Sequence, residues 1–275
     1  MNVLGISGNV NTGAQDSAAV IMKNGKLLFA QEEERFTRLK HSVSSLPLQS
    51  IKKGLQYCNL TIFDIDVVAY FAEYYNFRDR LKSFFLHHFN YCPRIVFKNH
   101  HLCHAASAFY NSGYDDAVAI VVDSNGSKTD DGIEIETIFD IPSWQVLHKK
   151  YWSPDDQGIG KEFEFVSVDY GFHKDDAGKV MGLAAYGKHE AYYVQQAWEK
   201  RALELCRMYK DRNLVLSGGC FLNCVVNYKL QRELDVRMRV MPIAHDGGTS
   251  IGAAYLATLN KSLAKTHADI SNKEL

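Results

Sequence analysis

Proline is scarce, with 5 in 275 residues, and no stretch of the chain is biased enough in composition to read as a tether or a disordered tail. A linker between separate beads is therefore excluded. An excess of charge of one sign is also missing: 31 Lys and Arg face 32 Asp and Glu, a formal net charge of −1. That removes any general attraction to nucleic acid and leaves only a local basic patch open. No apolar run approaches the roughly 18 residues of a membrane span. The opening MNVLGISG has neither a basic n-region nor a small-residue cleavage signal. A cytoplasmic address without a membrane partner is the expectation. The six cysteines form no C-x-x-C pair, which excludes a zinc ribbon or a dithiol redox centre. Cys220 and Cys224 would ligate metal only if both faced one way on a helix. Burial as small hydrophobes is the simpler reading.

What is present is an ordinary globular composition, 46% hydrophobic and 23% charged with 19 Gly, long enough for one large domain or two packed lobes. VLGISG is a short strand entering a turn between Gly8 and Gly13. SAAVIMKNGKLLFAQEEE reads as two strands joined by an Asn24-Gly25 hairpin turn. Helical spacing covers Pro47 to Tyr57 and Phe77 to Phe89, strands cover Asp66 to Phe71 and 94–97, and HLCHAASAFYNSG is helical. The first lobe is expected to close at Gly113, giving residues 1–113 and 114–275. The pattern then restarts. AVAIVVDSNG, IEIETIFDI and WQVLHKKYW are three strands, FEFVSVDYGF and Tyr192 to Tyr209 are helical, LVLSGG is a strand into a tight turn, and Thr249 to Leu263 is a small-residue helix. The fold class is α/β, with two duplicated β-β-β-α-β-α lobes around a cleft. Only the last ten residues look frayed.

His100 and His104 stand four apart, so on a helix both imidazoles leave one face within reach of one ion. His101 points about 100° away. A histidine pair at this spacing also arises by chance on helix surfaces, and its company raises its weight. Asp123 ends the strand AVAIVVD, at the sheet edge where α/β ligands bind. Asp246 precedes a glycine pair that opens a helix. Two imidazoles and two carboxylates suit Fe(II), Mn(II) or Zn(II) with positions left for substrate oxygens. Either aspartate alone reads equally as a helix cap. Two glycine turns, LVLSGGCFLN with Gly218-Gly219 and GKVMGLAAYG with Gly178, Gly182 and Gly187, resemble phosphate-binding elements and otherwise serve as fold punctuation. Lys179 adds a point charge there or is a solvated lysine. EEERFTRLKH gathers Arg35, Arg38, Lys40 and His41, a place for an anion or a solvated charged segment. Asp16 is a turn residue or a polar group aimed into the cleft.

DSAAVI with EEERFTRLKH, HHLCHAASAFYNSGYDDAVAIVVD, GKVMGLAAYG, SGGCFLNCVVN and AHDGGTSIGAA occur in this order almost end to end. Together they resemble the NodU and TobZ type O-carbamoyltransferases, whose catalytic lobe shares the actin-like ATPase (ASKHA) fold with the TsaD family. The resemblance implies a metal held by His100, His104, Asp123 and Asp246, with Fe(II) the expected ion. It implies a nucleotide, the ATP or AMP moiety of carbamoyladenylate, bordered by Lys179, Gly182, Gly218, Gly219 and Asn223. Lys40 would face the reactive group, beside Asp16 and His41. The carbamoyl group would pass from carbamoyladenylate to a hydroxyl of a small-molecule or nucleotide acceptor, releasing AMP.

Three departures qualify that picture. The histidine that usually precedes Asp16 is Gln15, which cannot be a general base, so His41 or another group must take the acceptor's proton. Members of the family continue into a YrdC-like domain, so a separate YrdC-like protein partner is expected to make carbamoyladenylate from ATP and carbamoyl phosphate. The stretch between Gly187 and the helix at Tyr192 is short, which removes surface that could shape the acceptor pocket. Threonylcarbamoyl transfer to tRNA and a decayed nucleotide-binding subunit are the alternatives, nucleic acid being disfavoured by the charge balance. A homodimer stays open.

Overall fold

A computed structural model describes residues 1–8, 16–71 and 77–259. Gln15, the end of the expected Gly8 to Gly13 turn and the last ten residues lie outside them. In chain order the elements are β1 (Asn2–Ile6), β2 (Ala18–Lys23), β3 (Lys26–Glu32), α1 (Glu34–Thr37), α2 (Leu48–Tyr57), β4 (Val67–Tyr70), α3 (Phe77–Phe89), β5 (Arg94–Phe97) and α4 (His100–Tyr110). The second series is β6 (Ala117–Val122), β7 (Lys128–Thr129), β8 (Gly132–Ile141), β9 (Gln145–Tyr151), α5 (Ile159–Asp169), α6 (Ala177–Leu183), α7 (Glu190–Arg207), β10 (Leu214–Ser217), α8 (Cys224–Glu233), β11 (Met238–Val240) and α9 (Thr249–Thr258). No helix among the described residues is long and apolar enough to cross a membrane.

The first sheet runs β3-β2-β1-β4-β5. Its first three strands are an antiparallel meander, and β4 and β5 join in parallel. Asn24 and Gly25 both take positive φ, 51° and 79°, the turn whose twist matches a two-residue hairpin. Side chains alternate across the sheet, so each face has its own cover. Leu4 pairs with Ile21 on one face, where Gly54 of α2 lies against Ile21 and Phe29. Gly5 pairs with Val20 on the other, and there α9 lies so close that a Cβ on Gly5 would collide with the Ser250 carbonyl. The helix TSIGAAYLAT is built from small residues that permit this approach.

The second sheet runs β11-β10-β6-β8, with β9 and the two-residue β7 both paired to β8. Here too the early strands β6, β8 and β9 are antiparallel, and β10 and β11 are parallel additions. With β7 taken as a small insertion, the strand order of the first sheet is repeated. Continuous apolar runs form the central strands: AVAIVV and LVLS are buried throughout. Trp198 of α7 is fully buried and donates from its indole nitrogen to the Cys220 carbonyl at 3.1 Å.

The chain separates into two compact units, residues 1–107 together with the segment from Asp246 onward, and Ala108–His245. This differs from the expected division at Gly113, which gave 114–275 to one lobe. The difference is α9, whose small apolar residues are buried on β1, β2 and β4 of the first unit. Two local expectations also change. GKVMGLAAYG is not a glycine turn but α6 followed by a 3-10 turn at Ala184–Tyr186. The strand β11 has no counterpart in the sequence reading, because MRV is short, carries an exposed arginine and lacks alternation long enough to register.

Candidate functional site

In the first unit, α4 begins directly after the last strand of the sheet, and its first turns present His100 and His104 one above the other. Their ring centroids are 4.7 Å apart and their Nε2 atoms 3.0 Å apart. Both are buried, at 4% and 0% exposure, which excludes the reading as surface histidines. Asp246 reaches them from the 3-10 turn that precedes α9: its Oδ1 lies 3.3 Å from His100 Nε2 and 3.5 Å from His104 Nε2. What lets it do so is Gly252, where any Cβ would collide with the Cys103 carbonyl of α4. The two helices therefore touch backbone to backbone, and their N-terminal ends bring imidazoles and carboxylate together.

The spacing suits a single cation. Ligand atoms each about 2.1 Å from a first-row ion and 90–109° apart are separated by about 3.0–3.4 Å. Two of the three observed separations, 3.0 and 3.3 Å, fall on that range and the third, 3.5 Å, lies just beyond it. The donor set of two imidazoles and one carboxylate is that of an open, non-cysteine site. His101 is buried elsewhere and is not one of the converging ligands. Phe71 packs its ring edge-on to His100, 5.2 Å between centroids, and Tyr70 closes the end of β4 with its hydroxyl donating to the Gly8 carbonyl at 2.7 Å. Burial, and then the Asp246 carboxylate, push the Tyr70 phenol well above its ordinary range, so it stays neutral.

The same unit joins Asp16 and His41, 25 residues apart in sequence. His41 Nδ1 lies 2.8 Å from Asp16 Oδ1, and the Asp16 N–H donates to the His41 carbonyl at 2.7 Å. The Ser7 hydroxyl donates to the Asp16 carbonyl at 2.8 Å and anchors the pair to the end of β1. Lys40 is exposed next to His41.

In the second unit the candidates gather at the C-terminal ends of β6 and β10, which run side by side in parallel. Asp123 follows β6, is 8% exposed, and accepts from the Ser124 N–H at 2.8 Å. Gly218 follows β10 at φ 95°, and a Cβ there would strike the Val122 carbonyl; one on Gly219 would come within 3.2 Å of Asp123 Oδ1. Gly218 is therefore dictated by close backbone approach and its positive φ, and Gly219 leaves room for the Asp123 carboxylate. Asn223 caps α8 by accepting from the Val226 N–H at 3.1 Å and donates to Gln195 Oε1 at 2.7 Å. Lys179 on α6 pairs with Asp176 at 2.8 Å and lies 5.1 Å above the Phe172 ring, while Gly178 and Gly182 face open space. Burial, then the Asp123 carboxylate, raise the Cys220 thiol well above its usual value. Among the described residues no metal-ligating cluster includes Cys220 or Cys224.

Residues 75–202 and 194–255 match the family described as carbamoyltransferase N-terminus. The chain belongs to that family. Among curated relatives, the nodulation protein NolNO of Sinorhizobium fredii is 25% identical over 323 residues, covering 90% of this chain and 46% of the relative. The chain spans about half the length of the curated relatives it matches. Among solved structures, HypF of T. kodakarensis superposes with a TM-score of 0.58 at 13% identity over 94% of this chain and 47% of that one. The (R)-2-hydroxyglutaryl-CoA dehydratase component A of Acidaminococcus fermentans gives 0.56 at 14% identity, over 94% and 98%. At such identities the likeness shows the fold alone, the actin-like ASKHA architecture expected from the sequence.

Three residues that serve this family member's site had not been singled out. Glu34 accepts from the His41 N–H at 2.7 Å, Tyr70 lines the end of β4, and Gly252 lets α9 touch α4. Gly252 had a signal in the run of small residues of TSIGAA, whereas Glu34 sits in a charged run with no mark of its own.

Proposed function

We propose that this chain transfers a carbamoyl group from carbamoyladenylate to the hydroxyl of a small-molecule or nucleotide acceptor. The observation that carries the reading is the meeting of His100, His104 and Asp246 within 3.5 Å, inside the segment that matches the family. These three, with Asp123 as the fourth ligand assigned from the sequence, would hold a divalent cation, Fe(II) ahead of Mn(II) or Zn(II). Such an ion, when bound, polarises a carbonyl or phosphate oxygen on which charge develops.

The chain's own residues supply the rest. With Nδ1–H donated to Asp16, His41 offers Nε2 as its basic nitrogen and takes the proton of the acceptor hydroxyl. The acceptor oxygen then bonds to the carbamoyl carbon, the bond from that carbon to the phosphate oxygen breaks, and AMP leaves. Lys40 adds positive charge beside this pair. In the second unit the Gly218-Gly219 turn opens room for backbone approach to the nucleotide. Lys179 and Gly182 of α6 border it, and Asn223 holds α8 behind the turn.

The test is metal analysis of the purified protein together with AMP release from carbamoyladenylate, supplied directly or by a YrdC-like protein with ATP and carbamoyl phosphate. Metal near one equivalent and AMP release that depends on a hydroxyl acceptor are expected. Turnover only with threonylcarbamoyladenylate and tRNA would replace the reading with the tRNA one. Tight AMP and metal binding without turnover on either donor would make the chain a nucleotide-binding subunit.

A further inference from the structure

The segment that carries His41 is backbone-strained. Arg38, His41, Ser42 and Ser44 all take positive φ, at 59°, 63°, 40° and 56°, in a stretch without glycine. Each non-glycine residue in that region costs on the order of 1 kcal/mol or more, so the surroundings must hold it there. The contacts that do so converge on His41. Its carbonyl accepts from the Asp16 N–H at 2.7 Å, and its own N–H donates to Glu34 Oε2 at 2.7 Å. Next to it, the Ser42 N–H donates to the Leu39 carbonyl at 3.0 Å, the Ser45 hydroxyl to the Ser42 carbonyl at 2.6 Å, and the Thr37 and Ser42 hydroxyls meet at 3.0 Å.

Of these, the bond to Glu34 is the one with an ionised acceptor, and charged acceptors make the stronger hydrogen bonds. Glu34 is also seven residues back, on α1, so it ties the strained turn to the end of β3. The other carboxylate oxygen, Oε1, lies 3.4 Å from Arg35, whose guanidinium is exposed, so that pair carries little weight. The imidazole meets Asp16 from a backbone turned to φ 63°. Rotating φ to the negative range changes the direction of the Cα–Cβ bond relative to the His41 carbonyl that the Asp16 N–H holds, and so redirects the ring.

We propose that Glu34 is a positioning residue for His41: by accepting the His41 N–H it holds the left-handed backbone that directs Nδ1 to Asp16. The consequence for catalysis rests on the reading above, in which the His41–Asp16 pair accepts the acceptor's proton. The placement of the ring does not, and the two can be separated.

The experiment uses the metal-loaded full chain with ¹⁵N-labelled histidine, and compares Glu34→Ala with Glu34→Gln. Glutamine keeps a side-chain oxygen that can accept from the His41 N–H, and alanine does not. In Glu34→Ala the His41 imidazole is expected to lose the Nδ1–H tautomer signature. Its kcat should fall about 10- to 100-fold, with KM for carbamoyladenylate within about twofold. Glu34→Gln should restore both most of the way. Should the alanine variant not fold, Glu34→Asp takes its place, its carboxylate one methylene short of the His41 N–H. Identical His41 spectra in the wild type and the alanine (or aspartate) variant overturn the proposal. A changed His41 spectrum in the Glu34 variant, with a separate His41→Ala variant that turns over as the wild type does, instead keeps Glu34's role and removes the base assignment.

Discussion

After β5 the chain of the first unit turns into α4, whose opening turns carry two histidines. After β10 the chain of the second unit turns into a glycine pair and a 3-10 segment whose one ionisable side chain, Cys220, belongs to no metal-ligating cluster among the described residues. The strand order is common to both sheets, and the chemistry at the ends of the parallel strands is not. Where helix meets helix, as α9 meets α4 at Gly252, side chains project into a shared space and ligands collect. Where strand ends lie against each other, as at Val122 and Gly218, backbone packs on backbone and leaves no room for a side chain. One topology thus offers two kinds of binding edge, and the residue types at the turns select between them.

Five substitutions sharpen that comparison. The largest effect belongs to His104→Ala, which removes a fully buried side chain proposed to ligate the metal. Metal content measured on the purified protein should fall below a tenth of an equivalent, a greater loss than the roughly 10- to 100-fold that an outer partner costs. AMP binding by calorimetry should stay within about twofold. Next are the two glycines. Gly252→Ala drives a Cβ into the Cys103 carbonyl, and Gly218→Ala drives one into the Val122 carbonyl from a positive φ. Each should destabilise by about 1–3 kcal/mol in denaturant titrations. Their ligand effects should be opposite: Gly252→Ala loosens metal and spares AMP, and Gly218→Ala does the reverse. Equal effects on both ligands would mean that the two edges are not separate in function.

A smaller effect is expected for Asn223→Ala, which removes the cap of α8 and the partner of Gln195. About 1 kcal/mol of stability should go, with metal content unchanged. The smallest concerns acid. In the second unit the Ser143 hydroxyl, with Arg212 behind it, lowers the Asp140 carboxyl, and in the first unit the Thr61 hydroxyl and N–H lower Asp64. A carboxylate depressed by folding stabilises above its unfolded pKa, and that contribution is lost as pH falls through its folded value. Asp140→Asn should therefore flatten the acid limb of the stability curve by less than about 1 kcal/mol, a modest, partly exposed contribution. An acid limb unchanged by the substitution would show that the pair contributes nothing.

Much of this was legible along the chain. Alternation and apolar runs located the meander, its Asn24-Gly25 turn and the buried strands at Ala117–Val122 and Leu214–Ser217, because each of those signals is local. The i, i+4 spacing of His100 and His104 was equally local. The duplicated order of strands and helices followed from counting. β11 escaped, being three residues with an exposed arginine, and α6 was hidden under its glycines. The unit to which α9 belongs could not be read at all, since a helix of small apolar residues fits any face that comes close enough.

The sequence by itself determined the family, the succession of strands and helices and the kinds of ligand that could meet, since periodicity and residue chemistry are properties of neighbours in the chain. Only the tertiary structure decided that Asp246, 142 residues beyond His104, lies 3.5 Å from it, and that Asp16 lies 2.8 Å from His41. Such meetings depend on how closely two backbones approach. That closeness is set by whether a glycine such as Gly252 faces a carbonyl or open space, which its small neighbours permit but do not fix.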